Sequence, residues 1–182
     1  MVPTNANSNS RLLLKQAVAL HDAISVNNKD KAIRLISEDP EVVNITTSDG
    51  RKALHIACGY RGSVTLVTHL LDHGANINQG TTGVDDGGDE APQTTPLLLA
   101  CSQGHTRVVD LLLERGADPT LVDGHGTTPL MAASLGGSVE CVRRLLGHEL
   151  ARTTINAQDT DGVCALGYAC KHGHSVICKN GR

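Results

Sequence analysis

Residues 94–124 read TTPLLLACSQGHTRVVDLLLERGADPTLVDG, and their order of caps, apolar positions and glycines decides the fold. Thr95 is placed to cap a helix. Pro96 sits just inside its start, where a fixed φ helps and a missing N–H costs nothing. Gly104 predicts the stop, because glycine tolerates the left-handed conformation at a helix C-terminus. Val108, Val109, Leu111, Leu112 and Leu113 then line one side of a second helix, which Gly116 ends. Neither helix has enough apolar face to stand alone, so the unit must stack on others like it.

Such units are present on both sides. TTPLMAASLGGSVECVRRLL runs from Thr127 to Leu146, and its Thr128 lies 33 residues after Thr95. DGRKALHIACGYRGSVTLVTHLLDHGANIN (49–78) and DGVCALGYACKHGHSVI (161–177) repeat the pattern less regularly. LHDAISVNNKDKAIRLISEDPEVVN (20–44) is a worn first copy whose tail matches better than its head. Asp-Gly pairs at Asp49-Gly50, Asp123-Gly124 and Asp161-Gly162 predict tight turns at the junctions. Self-similarity at this period marks a solenoid of helix pairs.

These residues resemble the ankyrin-repeat family. Its Thr-Pro-Leu-His-x-Ala signature stands here as Thr95-Pro96-Leu97-Leu98-Leu99-Ala100 and Thr128-Pro129-Leu130-Met131-Ala132-Ala133. It is also visible as Ala53-Leu54-His55-Ile56-Ala57 and Ala165-Leu166-Gly167-Tyr168-Ala169. The Gly-Ala-Asp element matches at Gly74-Ala75-Asn76 and Gly116-Ala117-Asp118. The resemblance implies an all-α fold, an ankyrin-repeat solenoid of stacked helix-turn-helix units with β-turn fingers.

On this reading residues 1–11 are a flexible N-terminal segment and 12–182 the array. A degenerate repeat covers about 20–48, followed by repeats at 49–78, 95–122 and 123–158, and an incomplete one at 159–182. Residues 79–94 form an inserted loop. The spacing from Leu54 to Leu97 is 43 residues; one extra residue lies in Gly59-Tyr60-Arg61-Gly62 and the rest in that loop. From Leu130 to Leu166 it is 36, with the surplus in 147–154. Insertions at such tips cost little as long as the helix pairs keep register. In the last copy Gly181-Arg182 stand where Leu145-Leu146 stood, so Val142, Leu145 and Leu146 are expected to be incompletely covered.

Composition narrows the function. Sixteen Lys+Arg against 19 Asp+Glu give a net charge of -3, which argues against a nucleic-acid or anionic-membrane binder. There is no Phe or Trp and there are two Tyr, so the core must be built of Leu, Val, Ile and Ala. The longest apolar runs are about five residues against the roughly 20 of a membrane helix. The polar start MVPTNANSNS is no secretory signal. The expected location is intracellular, cytoplasmic and/or nuclear, with the six cysteines as free thiols.

No chemistry is called for. The histidines lack a paired carboxylate or nucleophile, and no Gly-x-Ser-x-Gly elbow or phosphate loop occurs. The chain is expected to be no enzyme, with no catalytic or metal-binding residues and no cofactor. Cys58, Cys101 and Cys170 share one slot that wants a small buried residue. Cys164, Cys170, His172, His174 and Cys178 cluster near the C-terminus, but without paired Cys-x2-Cys spacing.

The reading is therefore a non-catalytic protein-protein interaction module, an adaptor or scaffold whose partner is another protein, and which is monomeric. By the resemblance, contacts come from the inner face and the finger tips. Inner positions are Ser25 and Val26, Gly59, Tyr60 and Arg61, Ser102 and Gln103, Leu135 and Gly136, Lys171 and His172. Finger tips include Ser48, Asp49 and Arg51, Gly124 and His125, Thr160 and Asp161. Tyr60 and Arg61 are the expected anchor, since hot spots favour Tyr and Arg. Asp85, Asp86, Asp89 and Glu90 of the loop, with no base among them, are expected to steer a basic partner. Two alternatives stay open: an ankyrin segment of a larger enzyme or ubiquitin-ligase subunit, and a zinc- or redox-responsive sensor built on the C-terminal Cys/His cluster.

Overall fold

The computed structural model describes residues 5–82 and 93–180, apart from the side chains of 5–9, 61 and 180. Helices come in pairs: α1 (Asn5–Ser25) with α2 (Lys29–Glu38), α3 (Ala53–Ile56) with α4 (Val64–Asp72), and α5 (Pro96–Ser102) with α6 (Thr106–Glu114). Then follow α7 (Pro129–Leu135) with α8 (Val139–Gly147), a short α9 (Glu149–Arg152), and α10 (Ala165–Lys171) with α11 (Ser175–Asn180). The first helices stack in the order α1, α3, α5, α7, α10, and the second helices as α2, α4, α6, α8, α11. Among the described residues there is no strand. This is the solenoid that the repeat predicts.

Local chemistry sets each start and stop. Thr95 Oγ1 accepts the Leu98 N–H at 3.3 Å and Thr128 Oγ1 the Met131 N–H at 3.2 Å, each with proline just inside the helix. At the end of α5 the His105 N–H reaches back to the Ala100 carbonyl at 2.9 Å, around a left-handed Gly104. The same closure recurs from His174 to Ala169 and from Asn28 to Ala23. In the first copy Asn27 takes the left-handed place at φ 58°. Asparagine is the residue that accepts this conformation most readily after glycine, which explains why that copy hides its turn from a search for Gly.

The extra residue of the second copy is absorbed inside the helix. After α3 the chain widens into a π-helical turn, Ala57–Arg61, before a left-handed Gly62 starts the next element. Such single wide turns are how a helix takes up an inserted residue without losing the register beyond it.

The core is a thin aliphatic layer. Its largest fully buried side chains include Leu20, Ile36, Leu66, Leu97, Leu112 and Leu145. Inter-repeat polar ties run along its edge. Asn44 Oδ1 accepts the Asn76 N–H at 3.1 Å, Asn78 Oδ1 accepts the Asp118 N–H at 2.9 Å, and Arg115 pairs with Asp72 at 2.8 Å.

Four details depart from the sequence reading. The helix α1 starts at Asn5, inside the segment 1–11 set apart from the array, because no proline or glycine stands between Pro3 and the turn at Asn27. The surplus at 147–154 is not only loop: it contains α9, whose Ala151 is buried. Val142 and Leu145 are buried, and only Leu146 stays half-buried, since α9 and α11 both pack on α8. In the third finger position the left-handed glycine is Gly126, three residues after Asp123, rather than Gly124.

Candidate functional site

Fingers project between the helix pairs and are built by one device. The Thr47 N–H donates to the Arg51 carbonyl, Asp123 N–H to Thr127 and Asp159 N–H to Val163, at 3.0, 3.3 and 3.2 Å. Each closes over a left-handed glycine, Gly50, Gly126 or Gly162. Asp123 Oδ1 accepts the His125 and Thr127 N–H groups, and Asp159 Oδ1 those of Asp161 and Val163. The Tyr168 hydroxyl also donates to Asp159, and this bond holds the Asp159 carboxyl below its usual range and pushes Tyr168 up to about 12. Neighbouring fingers are tied: the Thr160 N–H reaches the His125 carbonyl at 2.9 Å, and Thr82 N–H that of Gly50 at 2.8 Å. The row of fingers is thus stiffened by its own backbone.

Histidines stack the helix pairs. His55 Nδ1 accepts the Lys52 N–H at 3.0 Å, so its proton is on Nε2, which donates to the Gln79 carbonyl at 2.8 Å. His105 reaches the Gly59 carbonyl at 3.3 Å and His174 that of Leu135 at 3.1 Å, each across one repeat boundary. A Cβ at Gly62 or Gly137 would collide with those rings, at 2.4 and 2.5 Å. Burial holds the His55 and His21 imidazoles below their ordinary pKa.

The inner face begins where these turns end. Tyr60 rides on the π-helical turn and is 62% exposed, the most exposed aromatic of a chain that has two. Its hydroxyl accepts a hydrogen bond from Arg51 Nη1 at 3.1 Å, and the Arg51 guanidinium carbon lies 5.8 Å from the ring centre. That separation is within cation–π range. Arg51 itself belongs to the first finger, so the pair joins finger to helix end. The Arg61 side chain lies outside the described residues, and the observed neighbour of Tyr60 is Arg51. No sequence signal pairs residues 51 and 60; only the wide turn brings them together.

The other expected positions spread along the same edge. Gln103, Leu135, Lys171 and His172 are exposed at the ends of α5, α7 and α10, Ser102 is half-buried, and His125 is exposed on its finger. Asp85, Asp86, Asp89 and Glu90 lie outside the described residues. Where the loop leaves and rejoins, the Thr81 N–H donates to the Thr94 carbonyl at 3.1 Å. Between α7, α8 and α10 opens a groove of about 370 Å³, walled by Leu130, Val142, Leu146, Leu166 and Ile177.

Among the described residues no three His, Cys, Asp or Glu side chains converge as metal ligands, and no helix is long and apolar enough to cross a membrane. Burial pushes the Cys58 and Cys101 thiols up, away from ionisation near neutrality.

Comparison with known proteins agrees with this geometry. A family model described as ankyrin repeats (3 copies) matches residues 3–123 and 97–180. BCL-6 corepressor-like protein 1 of Homo sapiens is 33% identical over 144 residues, covering 79% of this chain and 7% of that protein. The E3 ubiquitin-protein ligase KEG of Arabidopsis thaliana is 34% identical over 141 residues, covering 74% of this chain and 8% of its own length. The 2-5A-dependent ribonuclease of Homo sapiens is 38% identical over 101 residues, 52% of this chain and 13% of that protein. The chain therefore spans a small fraction of the relatives it matches. With the family model matching nearly its whole length and the helix pairs stacked as that repeat requires, the chain belongs to the ankyrin-repeat family.

Proposed function

We propose that the chain holds a protein partner along the edge formed by its fingers and the ends of its first helices, with Tyr60 and Arg51 as the anchor. The observation that carries this reading is the exposed Tyr60 ring, turned out on a π-helical turn and held by a finger guanidinium. An aromatic ring fixed before binding gives up little rotamer entropy on contact, and Tyr and Arg dominate interface hot spots. Gln103, Leu135, His125, Lys171 and His172 extend the surface. Asp85, Asp86, Asp89 and Glu90 act at longer range, steering a partner with a basic patch. Catalysis has no part in this role.

Quantitative capture from cell extract tests it, with the wild-type chain compared with Tyr60→Ala, Arg51→Ala and a control on the outer helix, Arg34→Ala. The expected result is a protein retained by wild type and Arg34→Ala but depleted about tenfold or more by Tyr60→Ala, as loss of a hot spot requires. Equal capture by all four chains would remove the anchor.

A second reading rests on coverage. Relatives that include a ubiquitin ligase and a ribonuclease match this chain over 8% and 13% of their lengths. In that reading the array is the binding segment of a larger enzyme, and the activity lies outside these residues. Immunoblotting of the endogenous product separates the two by size.

A further inference from the structure

Cys170 and Cys178 stand on consecutive helices, α10 and α11, with their Sγ atoms 2.9 Å apart. The slot of Cys170 is filled earlier by Cys58, Cys101 and Ser134, all buried under the next helix pair. Among the described residues nothing covers Cys170 in this way, and it is exposed, while Cys178 is half-buried. A disulfide needs the sulfurs at about 2.0 Å, so they must close by less than about 1 Å. The hydrogen bond to Cys170 pushes the Cys178 thiol up, which leaves the exposed Cys170 as the sulfur that meets an oxidant first.

We propose that Cys170 and Cys178 are a dithiol that hydrogen peroxide converts reversibly into an intramolecular disulfide, clasping α11 to α10. The exposed Cys170 gives up its proton and attacks one peroxide oxygen. The O–O bond breaks, Cys170 becomes a sulfenic acid, and the departing hydroxide takes up a proton as water. The Cys178 sulfur, already in contact, then attacks the Cys170 sulfur as its own proton leaves. The S–O bond breaks, and the second hydroxide takes that proton. Two thiols lose two electrons, and one peroxide becomes two waters. A small dithiol reverses the bond by exchange. The clasp matters here because, among the described residues of α11, only Ile177 is buried, so a covalent tie to α10 adds to a small packed contact. Regulatory disulfides of intracellular proteins are transient in this manner.

The full chain is treated with a small excess of hydrogen peroxide, its remaining thiols are alkylated, and the peptides are mapped. The expected product is one chain lighter by two hydrogens, with residues 170 and 178 joined and restored by dithiothreitol. Amide exchange across residues 165–178 is expected to slow by about tenfold or more in the oxidised chain, since the cross-link blocks local opening. Cys164→Ser should leave the product unchanged, whereas Cys170→Ser and Cys178→Ser should abolish it. Three results would overturn the proposal: both cysteines still alkylated, Cys170 driven to sulfinic acid without a cross-link, or disulfides found between chains instead. Because wild type alone yields the decisive peptide, a variant that fails to fold does not blunt the test.

Discussion

Leu97 and Leu166 fill the same slot of two helix pairs, as do Cys101 and Cys170. In the α5–α6 pair the leucine is 1% exposed and the cysteine buried; in the α10–α11 pair Leu166 is 40% exposed and Cys170 is exposed. Side-chain chemistry is identical at each slot, so the difference comes from what lies on either side. A repeat in the middle buries its apolar stripe against two neighbours, whereas α10 and α11 are packed on one side only by described residues. In a solenoid stability is a sum of intrinsic and nearest-neighbour contributions, and among the described residues the α10–α11 pair draws the second kind from one side alone.

The sharpest way to break that comparison is to delete the same atoms twice. Leu97→Ala should cost about 2–5 kcal/mol, the range for a buried leucine whose cavity cannot fully collapse. Leu166→Ala should cost under about 1 kcal/mol, because the wild-type side chain already meets solvent in the groove beside Ile177. Chemical denaturation of both variants against wild type measures the two losses. Equal losses would mean that the groove is closed in solution and that α11 covers α10 as fully as α6 covers α5.

A pair of glycines sharpens it further. Gly116 and Gly137 both have left-handed backbones, at φ 86° and 71°. A Cβ at Gly116 would meet nothing within 4 Å, while one at Gly137 would lie 2.5 Å from the His174 ring of the next repeat. Gly116→Ala should therefore cost only the backbone strain, about 1–2 kcal/mol. Gly137→Ala should cost about 1–3 kcal/mol more, since the ring must leave its bond to the Leu135 carbonyl. Amide exchange gives a local check: in Gly137→Ala the α10–α11 pair should loosen before the α5–α6 pair. If both variants lose the same stability, the histidine stacking contributes nothing to the repeat boundary.

Much of this architecture is legible in the sequence, and the reasons for the exceptions are physical. Thr95-Pro96 and Thr128-Pro129 announce helix starts because cap and proline act locally. Gly104 and Gly116 announce stops for the same reason. Asn27 conceals a turn, since its left-handed backbone is a matter of tolerance and not of a residue type unique to turns. Burial at Cys170 is not readable, because it depends on a neighbour that the slot itself does not encode. The Arg51–Tyr60 contact is equally hidden: the extra residue is visible as a count, but whether it makes a loose loop or a π-helical turn is settled by packing on α5. Position in the array can be predicted from a repeat; contact across an irregularity cannot.

The smallest effect separates two histidines that occupy the same slot of adjacent copies. His55 and His21 are both buried, and burial lowers the pKa of each. Above the unfolded value of about 6.5 both are neutral in either state, and their contribution is fully present. As pH falls below it the unfolded chain binds protons first, so stability is lost with falling pH. One site can supply a slope of at most about 1.4 kcal/mol per pH unit. The two should not contribute equally. The Gln79 carbonyl favours a charged His55 ring, but protonation puts a hydrogen on Nδ1, facing the Lys52 N–H that now donates to it, and the charges of Lys52 and Arg51 oppose the new cation. His21 has the opposite surroundings: its Nδ1 lies 3.1 Å from Thr47 Oγ1, and the Asp49 and Asp22 carboxylates favour its charge. Leu98 and Met131 fill this slot in the next two copies, so an aliphatic side chain is accepted there. His55→Leu should accordingly flatten the stability profile between about pH 6.5 and 5 more than His21→Leu does. Each variant is compared with its own stability at pH 8, which removes the lost Gln79 hydrogen bond from the comparison. If His21→Leu flattens the profile as much as His55→Leu, the neighbouring charges have no hold on these rings and burial alone sets their titration.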